Sequence, residues 1–193
     1  MSNLSSLDNR PIEILPDRYR QIIASHIPNG IEIGFQLADM GFFDAPASTK
    51  YHGSYPGGLF DHSFNVTMSL VAITKQMGLV WERPESPWII GLLHDLCKAD
   101  QYNQTPAGYE WRKDTLFAGH GTKSVVLAST LLKLTEEEVA CIVYHMGAFT
   151  EQEEWSNYTR AVHKYPNVLW THTADMAAAH IKEIQDEWEG KKA

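Results

Sequence analysis

Cysteine is scarce in this chain of 193 residues, where Cys97 and Cys141 are the two present, each inside an apolar helical pattern. Two such thiols argue against a disulfide framework and read as small, reduced core residues. Positive charge is also in short supply, with 16 Lys and Arg against 24 Asp and Glu and a formal net charge of −8. A general nucleic-acid surface needs clustered cations, so no stable nucleic-acid complex is expected, while a small anionic substrate at a local positive site stays open. No apolar run reaches membrane length and no secretory signal is legible, so a cytoplasmic protein without membrane attachment is expected. The composition leaves the oligomeric state undefined.

What is present is a chain with 44% apolar residues, enough for one domain with a real core. Residues 1–10 are polar and unpatterned and read as a loose terminus, with a single helical domain over 11–190. Apolar residues recur at helical spacing from Pro11 to Ile27, with Pro16 marking the start of that helix, and again from Gly30 to Met40. Residues 44–58 are dense in Pro, Gly and Ser and read as an irregular connection. An amphipathic run from Leu59 to Met77 follows, in which His62, Val66, Ser69 and Ile73 share a face. The glycines before it suggest a close backbone approach. Ser86 and Pro87 form an N-cap and first-turn signature for the helix that leads to His94, Asp95 and Lys98. The turn at Pro106 to Gly108, between polar and aromatic arms, predicts a short β-hairpin over Tyr102–Lys113. Later helices open at Gly119 or His120, at Thr135 with Glu138 as a capping box, and at Pro166. Residues 148–156 read as an acidic, solvated loop. The predicted class is all-α, a helical bundle with a possible short hairpin insertion.

The chemistry centres on GLLHDLCKAD, residues 91–100. An imidazole beside a carboxylate at the end of an apolar run is costly to bury unless something binds it, since an unpaired buried charge costs several kcal/mol. A metal ion is the simplest partner. His62 points where core residues point, which leaves it open between a hydrogen-bonded core residue and a ligand. His145 ends one apolar helix, and Asp175 stands on an apolar stripe with Val168, His172 and Ala179, where a carboxylate needs a partner. His62, His94, Asp95, His120, His145 and Asp175 are therefore the candidate ligands, brought from five helices. Four imidazoles and two carboxylates suit one or two divalent transition ions such as Mn, Fe, Ni, Co or Zn, held in the middle of a bundle.

The ordered motifs GGLFDHS, GLLHDLCK, GHGTKS, VYHMG and LWTHTADMAAA resemble those of the HD-domain metal-dependent phosphohydrolases. Within that superfamily, PASTKYHGSYPGGLFDHS is most similar to the HD domain of bacterial 3′→5′ exoribonucleases, without the oligonucleotide-binding barrel found there. The resemblance implies that His62, His94, Asp95 and Asp175 hold a first metal and that Asp95 bridges to a second held by His120 and His145. It also implies that Lys98, matching the lysine of an HD-x-x-K pattern, contacts substrate phosphate. Two departures stand out, Met146 where relatives carry a second consecutive histidine and Cys97 where glycine is frequent.

The expected activity is cleavage of a phosphoester by metal-activated water, on a nucleotide or other small phosphorylated substrate. Asp95 and Lys98 are the catalytic candidates. Lys98, Lys123 and, from the hairpin, Arg112 with Lys113 are the candidate phosphate contacts. Tyr102, Tyr109 and Trp111 are available either to stack a base or to pack against the domain. Two other classes carry the same ligand set, an HD-fold diiron oxygenase and a non-catalytic metal-binding regulatory module.

Overall fold

The computed structural model of the chain describes residues 11–116 and 119–183. The expected loose terminus at 1–10 and the end of the domain at 184–190 lie outside the described residues. Helices α1 (Gly30–Asp39), α2 (Gly58–Met77) and α3 (Ser86–Leu93) precede a hairpin of β1 (Tyr102–Thr105) and β2 (Gly108–Trp111). Helices α4 (His120–Leu131), α5 (Glu136–Val143), α6 (Trp155–Lys164) and α7 (Asn167–Ala177) follow. The architecture is a helical bundle with one antiparallel two-stranded insertion, as the periodicity predicts.

Helix α2 is the spine, packed along α3 on one side and α7 on the other. Its first turn puts Leu59 and Phe60 into a cluster with Leu15, Tyr19, Phe42 and Leu92. Further along, Val66 and Leu70 join Ile90, Ile142, Val168 and Ala174 in a second cluster. Each such side chain gains about 1.5–3 kcal/mol from leaving water. His62 lies on the same buried stripe, one turn before Val66. The close approach expected at the start of α2 is present. A Cβ at Gly58 would stand 2.0 Å from the carbonyl oxygen of Gly53, so the loop can lie against the helix only because no side chain intervenes.

Helices α3 and α5 run from a common anchor. Arg83 donates from Nε and Nη2 to the two carboxylate oxygens of Glu138 at 2.7 and 2.6 Å, and Ser86 Oγ donates to Glu138 Oε1 at 2.9 Å. Glu138 also closes the expected capping box, accepting from the backbone of Thr135 at 2.8 Å while its own N–H donates to Thr135 Oγ1 at 3.2 Å. Each helix spans eight residues from this shared end. They therefore deliver His94 and His145 to the same depth of the bundle.

Several expectations need correction. The helix predicted over 11–27 is a 3₁₀ turn at Ile12–Ile14 followed by a wide helical turn at Tyr19–Ile23. Pro16 begins that second piece, since its carbonyl accepts from Arg20 N–H at 3.0 Å. Ser86 is not an N-cap, because it is the first helical residue and its hydroxyl is committed to Glu138. The acidic stretch at 148–156 contains 3₁₀ turns at Gly147–Phe149 and Gln152–Glu154 and leads into α6, which the sequence reading missed. Helix α6 buries no residue fully; only partly covered Tyr158, Ala161 and Val162 pack against the second core cluster, so its apolar stripe is thin.

Candidate metal centre

The chain stops being regular where the chemistry begins. Helix α3 ends at Leu93, His94 caps it, and Asp95 adopts φ −109° and ψ 18° before a 3₁₀ turn at Leu96–Asp100. This break turns the adjacent His94 and Asp95 toward a common point instead of fanning them 100° apart as successive helical residues would be. A similar break follows α5, where Gly147 at φ 54° lets the chain turn under His172. A Cβ at Gly147 would lie 2.3 Å from that ring, so the position accepts no side chain.

Asp95 sits at the middle, fully enclosed. Its Oδ2 faces Nε2 of His62 and of His94, each at 3.5 Å, and lies 2.7 Å from Lys98 Nζ. Its Oδ1 faces His120 Nε2 at 2.6 Å and His145 Nε2 at 3.4 Å. Asp175 Oδ1 closes the first side, 3.2 Å from His62 Nε2 and 3.9 Å from His94 Nε2. The structure thus brings all six sequence-predicted ligands together, in groups whose donor atoms lie within 4.8 Å of one another.

The histidines are oriented from behind. His94 Nδ1 donates to the carbonyl of Gly91 at 2.9 Å, and His145 Nδ1 to that of Ile142 at 2.7 Å. His62 Nδ1 donates to Glu183 Oε1 at 2.9 Å, while His120 Nδ1 meets the Cys97 thiol at 3.4 Å. With each Nδ1 engaged outward, each Nε2 is presented to the centre, as metal-ligating imidazoles require. Asp95 Oδ1 and His145 Nε2 are buried without a well-directed hydrogen bond. Orphaned polar atoms of this kind are costly in a protein interior, and a shared cation satisfies both at once. The donor set of imidazole nitrogen and carboxylate oxygen fits a divalent transition ion.

The electrostatics agree. Burial works against ionisation of Asp95, yet Lys98, His94 and His120 around it prevail and hold its carboxyl well below the usual carboxylate range. Asp175 is likewise held down against its burial by His62, His94 and His145. Burial pushes His62 toward neutrality, but its hydrogen bonds with Asp175 and Glu183 outweigh this and raise it to about 9. The centre therefore gathers negative charge that wants a cation between the side chains.

The remaining candidates divide. Lys98 lines the cavity above the centre. Lys123 does not line it. Its buried side chain reaches back to Asp100, to which its Nζ is ion-paired. Arg112 is outside the lining as well, half-buried and donating to both carboxylate oxygens of Asp114 at 3.1 and 3.0 Å, so its charge is spent locally. Lys113 and Tyr109 are not among the cavity's lining residues. Glu183, His52 and His172 were missed. Glu183 lies eight residues beyond Asp175, past a π-helical turn at Ala178–Lys182 that shifts the helical spacing. His52 sits in the loop before α2, where no periodicity applies, with its ring centroid 4.9 Å from that of His62. Burial and the nearby His62 push its imidazole down to about 4. His172 shares the α7 stripe, and its Nδ1 donates to the carbonyl of His145 at 2.9 Å and braces that candidate ligand.

A bundle in which histidines and aspartates from separate helices gather around one shared carboxylate fits the binding of divalent metal at its core. The sequence profile of the HD domain family matches residues 59–186, and the chain belongs to that family. Neither the curated proteins nor the solved structures give a significant match to this chain. Among the described residues, no helix is long and apolar enough to cross a membrane.

Proposed function

We propose that the protein is a metal-dependent phosphohydrolase that cleaves a phosphoester of a nucleotide or another small phosphorylated compound. The observation that carries this reading is the position of Lys98, whose ammonium lies 2.7 Å from the carboxylate shared by both halves of the centre. Burial works against the charge on Lys98, but its ion pair and hydrogen bond with Asp95 outweigh this and hold its pKa above the usual lysine value. A fixed ammonium beside a site for cations is electrostatically awkward unless an anion joins them, and a phosphate group is the anion that HD-family chemistry supplies.

His62, His94, Asp95 and Asp175 would hold one divalent ion, and Asp95, His120 and His145 a second. Such ions lower the pKa of bound water and neutralise phosphate charge. The chain's own groups do the rest. Lys98 stabilises charge gathering on the phosphate oxygens, and the Nδ1 hydrogen bonds to Gly91, Ile142 and Glu183 hold the imidazoles in place before substrate arrives. The resemblance of PASTKYHGSYPGGLFDHS to exoribonuclease HD domains supports a nucleotide-type substrate, while the scarcity of cations supports a short one. Metal analysis of the purified protein, followed by a screen of nucleoside phosphates, cyclic nucleotides and short oligonucleotides with added manganese, nickel or iron, tests the proposal. Metal-dependent cleavage is expected, read as inorganic phosphate from monoesters or as a new phosphomonoester from cyclic nucleotides and oligonucleotides. Oxygen consumption by the iron-loaded protein without phosphate release would instead select the oxygenase reading.

A further inference from the structure

The cavity above the centre has a volume of about 570 Å³, well within the range of small-molecule sites. Its floor is ionic and its rim is not. Trp111, Phe149 and Tyr51 line it while remaining 60%, 64% and 79% exposed. Three large aromatic side chains left open to water around one mouth are unusual, since such surface is normally buried or engaged by a partner. They come from three separate segments, the hairpin, the turn after α5 and the loop before α2, so no single local packing need explains them.

The charge inventory narrows the occupant. Lys98 is the single Lys or Arg among the described lining residues, beside Asp95 and Asp175. One phosphate, carrying about −1.5 to −2 charge near neutral pH, matches one ammonium and the centre beneath it. A chain of phosphates would find no further Lys or Arg in the described lining. The hairpin also ties the two ends of the cavity together. Lys98 belongs to the turn that runs directly into β1, Tyr102 pairs across the hairpin with Trp111, and their rings meet edge to face with centroids 5.1 Å apart. Arg112 N–H donates to the carbonyl of Gln101 at 2.9 Å and closes the hairpin's root. The indole is thus fixed at a set distance from the phosphate contact.

Building on the phosphohydrolase reading, we infer that Trp111 and Phe149 form a stacking site for a planar heteroaromatic base, so that the preferred substrate is a nucleotide bearing a single phosphate. Base stacking on an aromatic side chain is tolerant of base identity, so the site selects for the presence of a base and not for which one.

Calorimetry on the metal-loaded protein tests this with adenosine 5′-monophosphate, ribose 5-phosphate and octyl phosphate. The first two share sugar and phosphate and differ in the base, and the third offers apolar bulk without a planar ring. Binding of the nucleotide at least about tenfold tighter than of ribose 5-phosphate is expected, the scale of one stacked base. Trp111→Leu or Phe149→Leu, each keeping apolar bulk, should shrink that ratio severalfold, and Trp111→Phe should restore most of it. Equal affinity for nucleotide and ribose 5-phosphate, an undiminished ratio in both leucine variants, or octyl phosphate binding as tightly as the nucleotide would overturn the inference. Hydrolysis followed in parallel separates the two claims. A base-dependent affinity that disappears with Trp111, without any turnover, upholds the stacking site and sinks the phosphohydrolase reading.

Discussion

Glu183 accepts a hydrogen bond from His62 Nδ1 at 2.9 Å, joining residues 121 positions apart. The carboxylate is buried and is also approached by Asn65 Nδ2 at 3.4 Å. Burial opposes its ionisation, but the contacts with His62 prevail and lower its pKa. It therefore accepts and His62 Nδ1 donates, which turns Nε2 toward Asp95 and Asp175, where an ion would displace its proton. Glu183→Ala should weaken metal binding by about 10- to 100-fold, the usual cost of losing the partner behind a ligating imidazole. Glu183→Gln, which still accepts through its amide oxygen, should lose less. Competition against a metal-sensitive dye measures both, and wild-type affinity in the alanine variant would assign Glu183 to packing alone.

The division of the centre can be counted. Asp95 presents one oxygen to His62 and His94 and the other to His120 and His145, so Asp95→Ala should remove most bound metal and all activity. Replacing His120 or His145 by alanine should leave about one equivalent, because Asp175, His62 and His94 stay in place. Elemental analysis against protein concentration decides it. Full metal content in Asp95→Ala, or loss of both ions on changing His120, would reject the assignment.

Much of this was legible because helical periodicity marks which side chains share a face. His62 shares a stripe with Val66, and Asp175 one with Val168 and Ala179, and those stripes are buried apart from partial exposure at Ile73, His172 and Asp175. The signal fails where the backbone leaves the helix. The helix signal that opens at Ser86 and Pro87 runs on to Lys98, which reaches the centre instead through the 3₁₀ turn that follows Asp95. Glu183 lies just past a wide π-helical turn at Ala178–Lys182, and His52 lies in a loop. Lys123 shows the opposite error. It lies on the helix expected to open at Gly119 or His120, but Asp100, brought close only by the fold, claims its charge.

Substrate size has its own test. An acidic chain whose cavity is lined by one Lys among the described residues offers few phosphate contacts, so affinity for the substrate should depend weakly on ionic strength. Each neutralised phosphate on a strand adds close to one logarithmic unit to the salt slope, about −0.7 for single strands. A slope near one such contact is expected from binding measured across a tenfold change in salt. A steep slope with preference for long oligonucleotides would show that a polynucleotide is the true ligand.

Lys98 carries the choice of phosphate over an uncharged substrate. Its ammonium is largely enclosed and ion-paired with Asp95, and it also faces the cavity where substrate would enter. Two roles follow from that geometry and they separate in kinetics. If Lys98 only balances the charge of Asp95, Lys98→Ala should disturb metal affinity, because the carboxylate loses its one ammonium partner, and should restore turnover once metal is saturating. If it contacts the transferring phosphate, the metal-saturated variant should keep its fold yet lose about ten- to a thousandfold in kcat/KM, equivalent to about 1.4 to 4 kcal/mol of lost charge stabilisation. The second outcome is expected, with Lys98→Arg recovering part of the loss since a guanidinium still offers charge but not the same reach. Normal kcat/KM in metal-saturated Lys98→Ala would confine the lysine to its pairing with Asp95 and remove the main structural reason for a phosphorylated substrate.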